Sequence, residues 1–213
     1  MLRYLFVLCA CVLSLPAFAL SESAQGNLKL LQARWAQINY QTPESEREKG
    51  FAKLSAEAAT MVRNDPAAEL MIWRGIILST YAGAKGGLGA LDLVKQAKAT
   101  LEQAIKVDPT ALDGSAYTSL GALYYQVPGW PVGFGDDEQA EVLLKKALTM
   151  NPDGIDPNYF YGDFLFREER YAEADVALGK ALKAPDRPGR EVADSGRRAE
   201  AKALLVKVRS KLD

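Results

Sequence analysis

The chain has 213 residues, of which 48% are hydrophobic and 25% are charged, as in an ordinary globular protein. At roughly 150 residues per domain, this length favours one domain. The net charge of −1 argues against a nucleic-acid partner, and the absence of histidine excludes a Ser–His–Asp triad and any His-ligated metal site.

The first 19 residues have the pattern of an export signal. Arg3 precedes an apolar run over 4–15, and Ala17 and Ala19 form a small-x-small cleavage pattern, so we expect cleavage after Ala19. The mature chain then begins at Leu20, contains no cysteine and has no further apolar stretch of membrane-spanning length. The alternative is a lipoprotein signal in which Cys11 carries the lipid. The sequence favours a soluble periplasmic or secreted protein.

A repeat runs through the rest of the chain, where Pro66, Pro109 and Pro152 recur every 43 residues, each after an acidic or amide residue. Each proline and the residue before it end an alanine-rich segment with helical periodicity. These segments cover 51–64, 92–107 and 138–150. Alanine and leucine recur there at offsets of three, four and seven, which places them on one helical face. These residues are Ala97, Leu101, Ala104, Ile105; Ala140, Leu144, Ala147, Leu148; and, in a further copy, Ala174, Leu178, Ala181, Leu182.

The segments before these helices carry a second pattern. Tyr117, Leu120, Gly121 and Tyr124 have the spacing aromatic-x2-Leu-Gly-x2-Tyr, and in this respect residues 44–185 resemble a tetratricopeptide-repeat protein. The equivalent glycine position of the preceding repeat falls on Leu78. We expect Gly121 to lie where two helices cross.

The resemblance implies an all-α, tetratricopeptide-like solenoid of helix pairs in a single domain over 20–213. The repeats would cover about 44–66, 67–109, 110–152 and 153–186, with loop insertions between paired helices. A capping helix would follow over about 190–212. Its expected apolar face comprises Ala199, Ala203, Leu204, Val208 and Leu212.

Two insertions of equal length, 83–92 and 127–136, fall between paired helices and suggest a duplicated feature. The first is rich in glycine, which gives backbone freedom; Lys85 precedes those glycines, the wrong order for a phosphate loop. In the second, Gly133 and Gly135 are expected to take positive φ, and Asp136 is expected to cap the next helix in a reciprocal arrangement with Gln139.

Trp130 and Phe134 are large apolar side chains within the second insertion, which would otherwise be a solvated loop. They form either a wall of a ligand or peptide site, or buried anchors for a long turn. We predict no metal site and no cofactor.

The concave face of the repeats supplies further candidates, because the resemblance places ligand-facing positions on the first helix of each pair. These are Thr118, Ala122, Tyr125, Gln126, Tyr159, Asp163, Phe166 and Arg167. The aromatic residues and Arg167 make a mixed aromatic and cationic surface suited to a peptide or an organic anion. Packing between repeats is the alternative for the aromatic residues, and placement at a helix C-terminus is the alternative for Arg167.

The segment Pro128-Gly-Trp-Pro-Val-Gly-Phe-Gly-Asp136 also resembles an insert of the T-component family of tripartite ATP-independent periplasmic (TRAP) transporters. This likeness implies a non-catalytic periplasmic scaffold that engages a protein partner, such as a solute-binding protein, and also a small apolar or anionic ligand. The alternative function is a cell-envelope hydrolase with paired carboxylates, for which the sequence nominates no pair. The oligomeric state stays open.

Overall fold

A computed structural model describes residues 20–213, which form nine α-helices and contain no β-strand. This confirms the all-α prediction; the predicted signal peptide and Cys11 lie outside the described residues. The helices are α1 (Glu22–Gln41), α2 (Glu44–Asn64), α3 (Ala68–Lys85), α4 (Gly89–Val107), α5 (Ala111–Gln126), α6 (Asp137–Met150), α7 (Ile155–Arg167), α8 (Tyr171–Lys183) and α9 (Glu191–Arg209).

The proline positions end helices as predicted. Asp65, Asp108 and Asn151 directly follow α2, α4 and α6, and each donates its backbone N–H to the carbonyl four residues earlier, at 2.9 Å. The following proline has no N–H and restricts the residue before it to extended backbone, so the helix stops there.

Each helix packs against the next one in the chain, most extensively α3 with α4, α5 with α6, α7 with α8 and α2 with α3. The odd-numbered helices also contact one another in sequence, from α1 to α3, α5, α7 and α9. In addition α9 packs against α1, so the row of odd-numbered helices closes on itself. We call this last contact the α1–α9 seam.

Glycine lies at the crossing point within three of the pairs. A Cβ atom on Gly75, Gly121 or Gly162 would lie 2.6, 2.8 or 2.7 Å from the Cγ atom of a leucine on the partner helix, namely Leu101, Leu144 or Leu178. These distances are shorter than van der Waals contact, so only glycine lets the helices approach this closely. The prediction for Gly121 is confirmed.

The glycine of the α3–α4 pair is therefore Gly75, and the assignment of this position to Leu78 was wrong by one helical turn. Gly75 precedes Leu101 by 26 residues, whereas Gly121 precedes Leu144 by 23. The constant 43-residue spacing of the prolines concealed this difference. Measured from the crossing points, the first connection is three residues longer than the second.

The two insertions also differ in structure. In the first, α3 continues to Lys85 and α4 begins at Gly89, so only a short turn remains, in which Gly86 and Gly87 have φ values of 65° and 60°. This fits the expected role of glycine there. The second insertion is a loop over 127–136. The two connections are not copies of one structural feature.

The sequence analysis did not predict α1, although its buried residues Leu28, Leu31, Trp35 and Ile38 have helical spacing. This helix pairs with α2 and buries its apolar side against α2, α3 and α9. The Trp35 indole N–H also donates to the Thr80 hydroxyl on α3, at 2.9 Å.

The last helix has the predicted position but presents a different face to the core. Ala199 and Ala203 are exposed and Leu212 is half exposed, against prediction, whereas Leu204 and Val208 are buried as expected. The buried face is rotated and includes two charged residues. Its members are Ala193, Asp194, Arg197, Ala201, Leu204, Leu205 and Val208. Charge can be buried here because both charged groups have ionic partners.

Candidate functional site

The loop between α5 and α6, residues 127–136, has a fixed shape. The backbone N–H of Gly135 donates to the Pro128 carbonyl at 3.0 Å, and that of Asp136 donates to the Tyr124 carbonyl at 2.9 Å. A tighter turn inside the loop is closed by the Val132 N–H, which donates to the Gly129 carbonyl at 3.2 Å. The loop is thus bonded both internally and to the end of α5.

Gly133 and Gly135 are needed for close backbone approach rather than for positive φ. Neither residue has a positive φ, contrary to the prediction. A Cβ atom on Gly133 would lie 2.8 Å from the Val127 side chain and would collide with the Pro128 carbonyl, and one on Gly135 would collide with the Val127 carbonyl. The two glycines therefore allow the ends of the loop to pack against each other.

Phe134 anchors this loop. Its ring meets the Tyr124 ring edge to face, with centroids 5.6 Å apart. The Lys98 ammonium lies 5.7 Å from the Phe134 centroid and 5.6 Å from that of Tyr124, which adds a cation–π contact to both rings. For Phe134 the structure thus favours the anchor interpretation.

Trp130, unlike Phe134, is not packed against the helices: 90% of its surface is exposed to solvent. Among the described residues 20–213, its side chain therefore anchors nothing. Val132 in the same loop is 56% exposed, and Leu88, in the connection between α3 and α4, is also exposed. A fixed loop that holds a tryptophan in solvent is typical of a contact surface for another molecule.

Asp136 caps α6 as predicted, with its side chain accepting from the Gln139 N–H at 2.9 Å. The reciprocal bond expected from Gln139 is replaced, because the Asp136 N–H donates to Tyr124 instead. Asp137 and Glu138 follow in the first turn and are exposed. The base of the Trp130 loop therefore carries negative charge.

Four of the predicted concave-face residues form one cluster between α5 and α7. The buried Tyr125 hydroxyl donates to Asp163 Oδ2 at 2.8 Å and accepts from Gln126 Nε2 at 3.1 Å. The Arg167 guanidinium stacks on the Tyr125 ring at 5.1 Å and also pairs with Asp163, at 3.4 Å. Burial, with the neighbouring Asp163 carboxylate, raises the pKa of Tyr125 well above its ordinary value. Tyr125 thus serves packing, and the outer side of this cluster consists of Gln126 and Arg167.

The other four concave-face candidates lie elsewhere. Thr118 and Ala122 are buried, so the prediction that they face a ligand was wrong. The Tyr159 ring is covered by the Arg197 guanidinium, 4.5 Å from its centroid, and Phe166 packs against Tyr171 on α8, at 5.7 Å. Both rings are partly buried. The structure therefore does not bring the ten predicted residues into one site.

A cluster of charges where α7 meets α9 was missed by the sequence analysis. The Arg187 guanidinium bonds to Asp156 Oδ2 at 2.7 Å and to Asp194 Oδ1 through Nε at 2.8 Å. The Arg197 guanidinium bonds to Asp156 Oδ1 at 2.9 Å and to Glu200 Oε2 at 2.6 Å. Arg197 and Asp194 are only 9% and 2% exposed. We call these five residues together with Arg190 the arginine cluster.

The cluster fixes the charge of its central carboxylate and ties α9 to α1. Burial would raise the pKa of Asp156, but Arg197 and Arg187 outweigh it and lower that pKa to about 2. The Tyr40 hydroxyl on α1 donates to Glu200 at 3.3 Å. A signal was present in the sequence, because Asp194 and Arg197 share helical spacing with Ala201 and Leu204.

An open cleft of about 690 Å³ follows the α1–α9 seam. Its lining includes Tyr40, Arg47, Glu191 and Glu200, so it lies at the edge of the arginine cluster and away from the Trp130 loop.

Within residues 20–213, no group of three or more Asp, Glu or Cys side chains is placed to hold a metal ion. No helix in this part of the chain has the length and hydrophobicity needed to cross a bilayer. No protein-family model matches the chain, and no curated protein is significantly similar to it.

Proposed function

We propose that this chain is a non-catalytic scaffold of the tetratricopeptide type that binds a protein partner through the Trp130 loop. The observation that carries the proposal is the 90% exposure of Trp130 on a loop with a fixed backbone. Tryptophan dominates binding energy at protein interfaces, and a fixed loop loses little conformational entropy on binding.

The repeat assignment is supported by the three glycine–leucine crossings at Gly75, Gly121 and Gly162 and by the packing of helices in pairs. On the helices opposite those glycines, the first three repeated positions (alanine, leucine, alanine) are fully buried, and the fourth, held by Ile105, Leu148 and Leu182, is partly buried. In repeat proteins of this architecture each unit buries its core against its neighbours and leaves the connections free to bind.

The partner should present an apolar pocket bordered by positive charge. Trp130 and Val132 supply the apolar contact, and Asp137 and Glu138 at the base of the loop supply negative charge beside it. Gln126 is exposed at the end of α5, where the loop begins, and adds a hydrogen-bonding group. The resemblance of 128–136 to the T-component insert supports a periplasmic location and a solute-binding protein of a TRAP-type transporter as this partner.

The test compares Trp130→Ala with two matched variants. Wild-type and variant proteins are immobilised, exposed to envelope extract and analysed by quantitative mass spectrometry for retained proteins. Because Trp130 is exposed, Trp130→Ala should melt within about 2 °C of wild type. The amount of partner that it retains should fall at least about tenfold, which is equivalent to about 1.4 kcal/mol of binding free energy. Val176→Ala, which truncates an exposed apolar residue on α8, should retain the partner.

Phe134→Ala separates folding from binding in this loop. It removes the contacts with Tyr124 and Lys98, and since Phe134 is only partly buried it should cost less than the about 3–5 kcal/mol of a core phenylalanine. Full retention of the partner by Trp130→Ala would refute the proposed binding surface.

A further inference from the structure

The carboxylates of the arginine cluster are committed to two of its three arginines. Asp156 accepts from Arg187 and Arg197, and Asp194 accepts from the side chain and the backbone N–H of Arg187. Glu200, at the edge of the cluster, accepts from Arg197 and Tyr40. The third arginine, Arg190, donates to none of these three carboxylates.

Arg190 lies on an aromatic surface without an ionic partner. Its guanidinium stacks on the buried Trp73 ring, with the central carbon 4.9 Å from the ring centroid. Within residues 20–213, no carboxylate oxygen lies within 4.0 Å of its nitrogens, and its buried Nε has no hydrogen-bond partner. Burial, together with Arg187, lowers the pKa of Arg190. The local environment therefore disfavours this positive charge.

We propose that Arg190 and Trp73 form a binding site for a small carboxylate monoanion. The guanidinium of Arg190 lies over the Trp73 indole, and its N–H groups form a planar fork that matches the two oxygens of a carboxylate. One negative charge would give the unpaired arginine a partner and lower the cost of its burial. The site is on the α9 side of the fold, independent of the Trp130 loop and of the proposed protein partner.

A single negative charge fits this position better than two. Asp156 and Asp194 lie close enough to influence the charge of Arg190, and they would repel a dianion more strongly than a monoanion. Arg190 is partly exposed to solvent, and the residue after it, Glu191, lines the cleft along the α1–α9 seam.

The probe is acetate, added to purified ¹⁵N-labelled protein at pH 7 in exchange for chloride at constant ionic strength. The indole N–H resonances of Trp35, Trp73 and Trp130, assigned with single Trp→Phe variants, report the position of binding. The Trp73 resonance should shift and saturate. The Trp130 resonance, from a fully different surface, should stay constant and serves as an internal reference.

Arg190→Gln should weaken acetate binding at least about tenfold. Arg198→Gln is the matched control on the same helix, because Arg198 already has Asp186 and the Ala184 carbonyl as partners, and it should bind acetate within about twofold of wild type. If Arg190→Gln does not fold, Arg190→Lys replaces it; it keeps the charge but loses the planar fork, and should still bind several-fold more weakly.

Three results would overturn the inference. The first is a shift of Trp73 and Trp130 alike without saturation. The second is unchanged acetate affinity in the Arg190 variant. The third is binding of sulfate, a dianion at this pH, as tight as that of acetate, because the site would then recognise charge alone and not a carboxylate.

Discussion

The helix crossing at Gly121 offers the most direct test of the packing. Replacing this glycine by alanine puts a Cβ atom 2.8 Å from Leu144 Cγ and 3.2 Å from the Ala140 carbonyl oxygen. The leucine is fully buried and the carbonyl belongs to the partner helix, so relief requires the two helices to separate. Gly121→Ala should therefore destabilise the protein.

The magnitude follows from two opposing effects. Overpacking of a close contact costs about 1–3 kcal/mol. Replacing glycine by alanine in a helix interior raises the free energy of unfolding by about 0.5–1 kcal/mol. The net loss in the free energy of unfolding should lie between about 0 and 2.5 kcal/mol, with a central value of about 1 kcal/mol, and Gly121→Leu should lose more. At about 2–4 °C per kcal/mol for a chain of this size, Gly121→Ala should melt up to about 10 °C below wild type.

Gly179 in α8 provides the matched control. A Cβ atom there meets nothing within 4 Å, so Gly179→Ala has only the favourable helix effect and should raise stability by about 0.5–1 kcal/mol. Thermal unfolding followed by circular dichroism at 222 nm compares the two variants. If Gly121→Ala proves as stable as Gly179→Ala, the helices do not cross as described.

Two further predictions concern acid stability and export. Because folding lowers the pKa of Asp156 from 3.8 to about 2, its carboxylate stabilises the fold above about pH 4, and this contribution is lost as the pH falls toward 2. At about 1.4 kcal/mol per pKa unit it amounts to about 2 kcal/mol, so urea unfolding between pH 4 and 2 should depend less on pH in Asp156→Asn, and identical pH profiles would contradict the assigned ion pairs. Protein recovered from its native compartment should begin at Leu20; an acylated Cys11 found by mass spectrometry would instead indicate a lipid anchor.

The sequence predicted those parts of the fold that depend on local pattern. Asp65, Asp108 and Asn151 mark helix ends because proline acts on its immediate neighbours in any context. The repeated alanines and leucines define buried faces because one helical period suffices to place them. Gly75 was missed since its equivalence to Gly121 depends on where helices meet in space, and a constant proline spacing is compatible with connections of different length.

The candidate site was harder to predict, because its features depend on distant partners. Trp130 and Phe134 have the same sequence environment, yet Phe134 packs against Tyr124 and Trp130 is exposed. Arg197 was not among the residues predicted for the buried face of the last helix, since charged residues are usually exposed. Its burial depends on Asp156, which is 41 residues away along the chain.

The α1–α9 seam limits the number of repeat units that this chain can gain or lose. An open array of repeats can gain or lose a unit at either end, whereas here the first and last of the helices in residues 20–213 pack against each other. An added helix pair would have to separate Tyr40 from Glu200, which are 160 residues apart in sequence. Contacts of such separation form late and slowly in folding, because a long loop must close first. The paired helices should thus assemble locally, and the α1–α9 seam should form as the final step.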